Sequence, residues 1–247
     1  MDLVEQRQAD KKEFKRHPWE MARFRILDFF VHKHHLSKKF ILDVGSGDAF
    51  VSGRLAEKYP GTIINAVDVN YDDNFINAHK HIPVRFIRSL QETERGKIDL
   101  VLLMDVIEHI ENPGKLTSEL KLLKGVDHST SFFITVPAFQ SLVTGHDVFL
   151  GHYRRYTRRG LTRFMKEQGF EIKESGYFFF SLLLVRCFQK FSGQKNINAL
   201  HNWKGKAWKT SLISSFLWAD FKISWYLSRP GIQLPGLSCY CICNPLP

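Results

Sequence analysis

Apolar runs of strand length alternate with segments whose apolar residues recur at helical spacing along most of this chain. A repeated order of strand then helix predicts a parallel sheet with helices on both faces. Continuous apolar runs, such as 100–104 after Asp99, are typical of central strands that are buried on both sides. The expected strands are 40–44, 63–68, 83–88, 99–104, 131–137, 169–174 and 237–243. Helices are expected over about 13–35, 51–58, 113–124 and 158–168, with another ending near 80.

The first strand ends in a glycine turn, and its residues indicate the kind of ligand. Gly45 and Gly47 permit close approach of the backbone, but Phe50 stands where a dinucleotide-binding turn needs a third glycine. Asp43 beside the turn suits an ammonium group better than a phosphate, because like charges repel. Asp68, at the end of the second strand, is placed to bind ribose hydroxyls. An amine, a ribose and no phosphate describe S-adenosylmethionine.

Three motifs then carry a family resemblance. The segments 42–47 and 98–110, together with Asp68, resemble class I S-adenosylmethionine-dependent methyltransferases. Segments 17–19 (His-Pro-Trp), 135–138 (Thr-Val-Pro-Ala) and 151–156 (Gly-His-Tyr-Arg-Arg-Tyr) resemble bacterial members of the type 11, type 12 and type 23 group. The resemblance implies one domain over 1–247 with a Rossmann-like, seven-stranded, mostly parallel doubly wound sheet, whose last strand inserts antiparallel. It implies S-adenosyl-L-methionine as the cofactor.

The same resemblance implies cofactor contacts from residues that follow the first four strands. Many relatives carry an acid after the third strand, where this chain has Ser89, so a hydroxyl or the neighbouring backbone is expected to serve there. The expected cofactor-binding residues are Asp43, Gly45, Ser46, Gly47, Asp68, Val69, Ser89, Leu90, Met104 and Asp105.

The acceptor is expected between the fourth strand and the loop 138–156. His109 and His152 are the candidate catalytic bases, because imidazole has the ordinary pKa closest to neutrality. Tyr153, Arg154 and Arg155 are the candidate substrate residues, since arginine suits carboxylate or phosphate. These residues favour O-methyl transfer to an anionic acceptor that is small or linked to a lipid or sugar.

Metal dependence stays open at this point. Asp105, Glu108, His109 and His152 resemble the metal site of small-RNA 2′-O-methyltransferases, except that the first position there is Glu. Two oxygens and two imidazoles could hold a divalent ion.

The net charge of +10 is concentrated towards the end of the chain. Residues 178–247 hold eight basic side chains and one acid, a net charge of +7, among many aromatic residues. Segment 177–229 is expected to be a helical insert, with helices over 177–191 and 208–227. It could form a substrate cap, a dimer interface or a surface that rests on lipid. The N-terminal helix 13–35 is expected to act as a lid, with His17, Trp19 and Arg23 candidates to line it.

Other features of the sequence limit the alternatives. No apolar block approaches the ~20 residues of a membrane span, and the first ten residues lack a secretory signal, so a cytoplasmic location is expected, with contact at the inner face of the membrane left open. Cys239, Cys241 and Cys243 alternate and are expected to be small buried apolar side chains. A non-catalytic RNA- or membrane-binding protein on the same scaffold is the main rival, and a dehydrogenase is a weaker one.

Overall fold

The computed structural model describes residues 16–37, 39–93, 96–192, 203 and 205–247, and a seven-stranded sheet is at its centre. The strands are β1 (Phe40–Val44), β2 (Ile63–Val67), β3 (Arg85–Ile87), β4 (Leu100–Met104), β5 (Ser131–Pro137), β6 (Phe170–Phe178) and β7 (Ser238–Pro245). The helices are α1 (Pro18–Lys33), α2 (Phe50–Lys58), α3 (Asp73–Ala78), α4 (Pro113–Leu122), α5 (Gly145–Phe149), α6 (Arg158–Glu167), α7 (Phe180–Phe191) and α8 (Ala207–Ser228).

The strand order is β3-β2-β1-β4-β5-β7-β6. The first five strands in this order pair in parallel, and β7 lies antiparallel between β5 and β6. The predicted mostly parallel sheet of seven strands is therefore confirmed. Its consequence for function is that β1, β2, β3, β4 and β5 all end at one edge of the sheet, where ligands bind in folds of this type.

Two apolar layers cover the sheet. Ile41 belongs to one cluster and Leu42 to the other, because neighbouring strand residues point to opposite faces. The first layer contains residues of α1, α2 and α8, and the second contains residues of α4 and α6. Cys239, Cys241 and Cys243 are fully buried in the second layer, as their alternation predicts.

The sixth strand is longer than predicted, and the first helix of the insert starts later. The apolar residues at 177 and 178 were expected to begin that helix, but they continue β6, where Tyr177 pairs with Cys239 and Phe178 with Ser238. Gly176 permits this pairing, because an added Cβ would come 2.8 Å from the ring of Tyr240. Tertiary pairing with β7 thus overrides the local apolar pattern.

The N-terminal helix packs against the insert through aromatic rings. The centroid of the Phe29 ring lies 5.6 Å from that of Phe221 and 4.9 Å from that of Trp225. The helix was predicted over 13–35, and residues 13–15 lie outside the described ones. In the insert, residues 193–202 and 204 likewise lie outside them. Among the helices described, none has the length and apolar character needed to cross a membrane.

Candidate active site

The glycine turn after β1 fits tightly between the ends of β2 and β4. The amides of Gly45 and Ser46 donate to the carbonyl of Val67 at 2.8 and 3.1 Å. Gly45 has φ +65°, and an added Cβ would lie 2.7 Å from Cγ2 of Val106. Gly47 has φ +54° and donates its amide to Asp68 Oδ2 at 2.9 Å. Glycine is therefore needed at 45 both for its backbone conformation and for space.

Asp43 lies at the buried end of β1. Its carboxylate is 2% exposed and accepts a hydrogen bond from Ser52 Oγ at 2.6 Å. Burial raises the pKa of Asp43 to about 7, against the effect of that hydrogen bond. A cation bound beside this carboxylate would reverse the shift, because it stabilises the charged form.

The other predicted cofactor residues lie along the same edge of the sheet. Asp68 and Val69 follow β2, and Val69 is 83% exposed. Ser89 and Leu90 follow β3, where Ser89 precedes a short 3₁₀ turn and donates its amide to Glu92 Oε1 at 3.0 Å. Met104 ends β4 and Asp105 follows it. The structure thus places all ten predicted residues at or just beyond the ends of four adjacent strands.

Asp105 connects the sheet to the N-terminal helix. Its backbone is left-handed, with φ +57°, and Thr135 Oγ1 donates to its Oδ1 at 3.0 Å. Arg23 Nη2 of α1 lies 2.7 Å from its Oδ2. Strained backbone of this kind is common where a side chain must be aimed at a ligand.

The residues just before α1 make a further contact, with the residue that follows the glycine turn. Arg16 Nη1 lies 2.5 Å from Asp48 Oδ2, and its guanidinium stacks 4.2 Å from the centre of the Phe50 ring. Trp19 Nε1 is buried without a hydrogen-bond partner among the described residues. The contact of Arg16 with Asp48 could not be predicted, because neither residue belongs to a motif and they are 32 positions apart.

Glu108, His109 and His152 form a compact cluster beyond β4. Each offers one ligand atom, and these atoms lie within 4.8 Å of one another. The two imidazole rings are perpendicular, with centroids 4.4 Å apart. Glu108 is fully buried, and neither of its carboxyl oxygens accepts a hydrogen bond from another described residue. Burial, reinforced by the charge of Asp105, raises the pKa of Glu108 well above its usual value.

Both histidines are oriented by partners of Nδ1. His109 Nδ1 lies 3.0 Å from the carbonyl oxygen of Leu150, and His152 Nδ1 lies 2.9 Å from Asp147 Oδ1. A proton on each Nδ1 puts the ring lone pair on Nε2. The amide of Tyr153 donates to the carbonyl of Glu108 at 2.8 Å, which joins the loop of His152 to the turn of Glu108.

Arg155, a predicted substrate residue, is held inside the protein by hydrogen bonds. Its side chain is 9% exposed, its Nε and Nη2 donate to Asp147 at 2.8 and 3.0 Å, and its Nη1 donates to the carbonyl of Ala138. Burial alone would raise the pKa of Asp147, but the hydrogen bonds from His152 and Arg155 outweigh it and lower that pKa below its usual range. These contacts join Arg155 to the loop and to the carboxylate that orients His152.

The two neighbours of His152 in the loop are more accessible. Tyr153 is 56% exposed, and the Arg154 guanidinium lies 5.7 Å from its ring centre. Arg154 Nη2 donates to the carbonyl of Glu111 at 2.7 Å. Arg186, which sequence reasoning did not single out for the site, comes from α7 and is partly buried; burial and the charge of Arg155 lower its pKa, while Asp147 raises it. Only the folding of the insert brings Arg186 to this loop.

The fold and the glycine turn define the class of protein. The chain aligns with a methyltransferase from Archaeoglobus fulgidus described as S-adenosylmethionine-dependent, with 14% identity, coverage of 90% of this chain and 94% of that one, and a TM-score of 0.51. It also aligns with coclaurine N-methyltransferase bound to N-methylheliamine and S-adenosylhomocysteine, with 13% identity, coverage of 89% and 70%, and a TM-score of 0.53. This is the class I S-adenosylmethionine-dependent methyltransferase fold.

A family profile for a methyltransferase domain of type 23 matches residues 14–175, and the chain belongs to that family. It is an enzyme, and its cofactor is S-adenosylmethionine. The plantazolicin methyltransferase BamL, solved with a triazolic desmethylPZN analogue and S-adenosylhomocysteine, is a third similar structure, with 14% identity, coverage of 91% and 84%, and a TM-score of 0.51. A search of curated protein sequences gives no match.

Proposed function

We propose that this methyltransferase transfers the methyl group of S-adenosylmethionine to an oxygen atom of an anionic acceptor that is small or linked to a lipid or sugar. The observation that carries the proposal is the orientation of His152 by Asp147, beside Glu108 and His109 at the edge of the sheet. A histidine held in this way has the arrangement of a general base.

The Asp147–His152 pair accounts for the proton that an attacking hydroxyl must lose. The acceptor oxygen forms a bond to the methyl carbon as the bond from that carbon to sulfur breaks. The hydroxyl proton moves to Nε2 of His152, and the sulfur leaves as the neutral thioether of S-adenosylhomocysteine. Asp147 stabilises the imidazolium that results, and its low pKa keeps it ionised for this task.

An anionic acceptor is supported by the cations around this cluster. Arg186 is a partly buried guanidinium with no ion pair to an acid within the described part of the chain, and Arg154 and Tyr153 lie next to His152. A buried cation is costly unless it is paired, so a negative group of the acceptor would stabilise Arg186. Arginine also binds carboxylate and phosphate through two parallel hydrogen bonds.

Residues at the same edge of the sheet would also bind the cofactor. In this proposal the ammonium group lies near Asp43, the ribose hydroxyls bind Asp68, and the start of α1 covers the cofactor. The contacts of Arg16 with Asp48 and of Arg23 with Asp105 support a covering role, because they attach α1 to two of the loops concerned.

A second candidate differs only in what activates the hydroxyl. Glu108, His109 and His152 would hold a divalent cation such as Zn²⁺ or Mn²⁺, a set of two imidazoles and one carboxylate that suits these ions. The observation that favours it is the buried Glu108, whose oxygens accept no hydrogen bond from another described residue. The cation would supply Lewis acidity to the acceptor oxygen.

The test uses S-adenosylmethionine labelled in its methyl group, incubated with separated lipid, sugar and small-anion fractions of cell extract. Label in an anionic fraction that is lost with His152→Asn supports the proposal. Label that appears only on amines would overturn O-methylation. Transfer that survives exhaustive chelation, with no heat of Mn²⁺ or Zn²⁺ binding by calorimetry, would reject the second candidate and leave the first intact.

A further inference from the structure

The outward side of α8 carries an apolar stripe. Its members are 52 to 63% exposed and recur at helical spacings of four, four, seven and three: Trp208, Leu212, Phe216, Ile223 and Tyr226. At about 100° per residue they fall within an arc of roughly 80°. We call these five residues the outer stripe. Leu217, Phe221 and Trp225 are buried on the opposite side of the helix.

A helix with one side in water is expected to be polar on that side, whereas α8 is apolar on both. The neighbouring helix α7 adds exposed apolar residues to the insert, with Leu184 53%, Val185 50% and Phe188 73% exposed. By contrast, α6 buries Leu161 and Met165 and carries mostly charged side chains elsewhere. Exposed apolar surface of this extent marks a place where another molecule binds.

The charge around the outer stripe indicates what kind of molecule that is. Residues 178–247 carry eight basic side chains and the single acid Asp220, a net charge of +7. Asp220 is directed into the insert, where it accepts a hydrogen bond from the amide of Ser181. Lys209 lies about 20° beyond one margin of the stripe, at 100° per residue. Lys222 lies about 40° beyond the other margin, where its Nζ is directed towards α1 and lies 4.1 Å from the centre of the Phe29 ring. Lysines beside an apolar stripe are typical of helices that lie on anionic lipid.

A second copy of the chain fits this surface less well. Two copies would bring together two faces that each carry Lys209 at the margin of the stripe, and like charges close together repel. We propose that the outer stripe of α8 rests on an anionic lipid surface, with its apolar side chains among the acyl chains and Lys209 at the headgroups. Lipid binding by the outer stripe does not depend on which acceptor the enzyme methylates.

The test is flotation of the full chain with vesicles of phosphatidylcholine, alone or mixed with phosphatidylglycerol. The wild type is expected to float with the mixed vesicles and to bind them about tenfold more tightly than the neutral ones. The double variant Leu212→Ser/Phe216→Ser is expected to lose about tenfold in binding, because two side chains no longer insert. The matched control is Leu122→Ser, an 84% exposed leucine on α4 in the other layer, and it should bind as the wild type does.

Two further measurements test the contribution of charge to lipid binding and the folding of the variants. Lys209→Glu should also weaken binding, and added salt should weaken wild-type binding. Calorimetry with S-adenosylhomocysteine should give the same affinity for every variant, which shows that the variants are folded. Equal binding by the stripe variant, or no flotation of the wild type, would reject the proposal. A dimer in sedimentation equilibrium that the stripe variant abolishes would assign this face to a second copy instead.

Discussion

Arg23 of α1 forms an ion pair with Asp105, the residue that follows β4, with 2.7 Å between Nη2 and Oδ2. Both side chains are largely shielded from water, at 13% and 25% exposure. A helix that precedes the sheet in the chain is thereby attached to the turn that leads to Glu108.

Loss of this ion pair should measurably lower the stability of the protein. Arg23→Met is expected to lower the free energy of unfolding by about 1–2 kcal/mol, because Asp105 would keep its burial without its partner. The control is Arg54→Met, which removes an exposed pair with Glu57 and should cost at most about 0.5 kcal/mol. Urea unfolding measures the loss of unfolding free energy in both variants. Equal losses would contradict the prediction, because the Arg23–Asp105 pair would then contribute no more than an exposed ion pair.

The raised pKa of Asp43 predicts a pH dependence of cofactor binding. The carboxyl ionises as the pH rises through about 7, and only the ionised form attracts the ammonium group of the ligand. That ammonium stays mostly protonated up to about pH 7.5. Affinity for S-adenosylhomocysteine should therefore rise about fivefold between pH 6 and pH 7.5. Calorimetry should show weaker and pH-independent binding for Asp43→Asn, with the exposed Asp127→Asn as the control.

His152 and Asp147 are expected to affect turnover more than cofactor binding. His152→Asn should lower methyl transfer to the labelled acceptor fraction by about 10²-fold or more, because the general base is lost. Asp147→Asn should lower it as well, since Nδ1 of His152 would lose its charged partner. Affinity for S-adenosylhomocysteine should remain unchanged by His152→Asn. His128→Asn, an exposed histidine outside the site, is the control, and a variant of His152 with full activity would rule out the proposed base.

Replacement of the neighbouring arginines 154 and 155 should have different effects. The Arg155 variant should lose stability, and the Arg154 variant should bind the acceptor more weakly. Arg155→Met removes the partner of the buried Asp147 and is expected to cost about 2–3 kcal/mol of stability, less than a complete loss because His152 and Thr144 still donate to that carboxylate. Arg154→Met should leave the unfolding midpoint nearly unchanged and raise the KM for the acceptor. Thermal unfolding and acceptor titration of both variants make the test. The reverse pattern would support Arg155 as the substrate residue.

Replacement of Gly45 by alanine should lower the free energy of unfolding, and a clash with Val106 should account for part of the loss. Gly45→Ala combines a left-handed backbone with a Cβ 2.7 Å from Val106 Cγ2, so a loss of about 2–4 kcal/mol is expected. Gly61→Ala has a comparable backbone conformation, φ +87°, but nothing within 4 Å, so about 1 kcal/mol is expected. Val106→Ala added to Gly45→Ala should recover part of the loss. Absence of recovery in urea unfolding would mean that the backbone conformation alone is responsible.

Local sequence patterns determined most strands and helices of this protein and the edge of the sheet where the predicted cofactor residues lie. The period of the apolar residues predicted the strands, because burial on both faces requires continuous apolar runs, and the Gly45–Gly47 turn with Asp43 and Asp68 predicted the cofactor through short-range chemistry. The same patterns misplaced the end of β6, since an apolar pair such as Tyr177 and Phe178 suits a helix and a strand equally well.

Only the tertiary structure decided which side chains meet across the chain. The ion pair of Arg23 with Asp105, the bonds of Arg155 to Asp147 and the approach of Arg186 from α7 join residues whose separation in sequence carries no periodic signal. The sequence identified the basic loop 151–159 but could not distinguish an arginine that binds substrate from one that holds the loop. That distinction depends on burial and on the position of a carboxylate, both of which arise only when β5, α5 and the insert pack together.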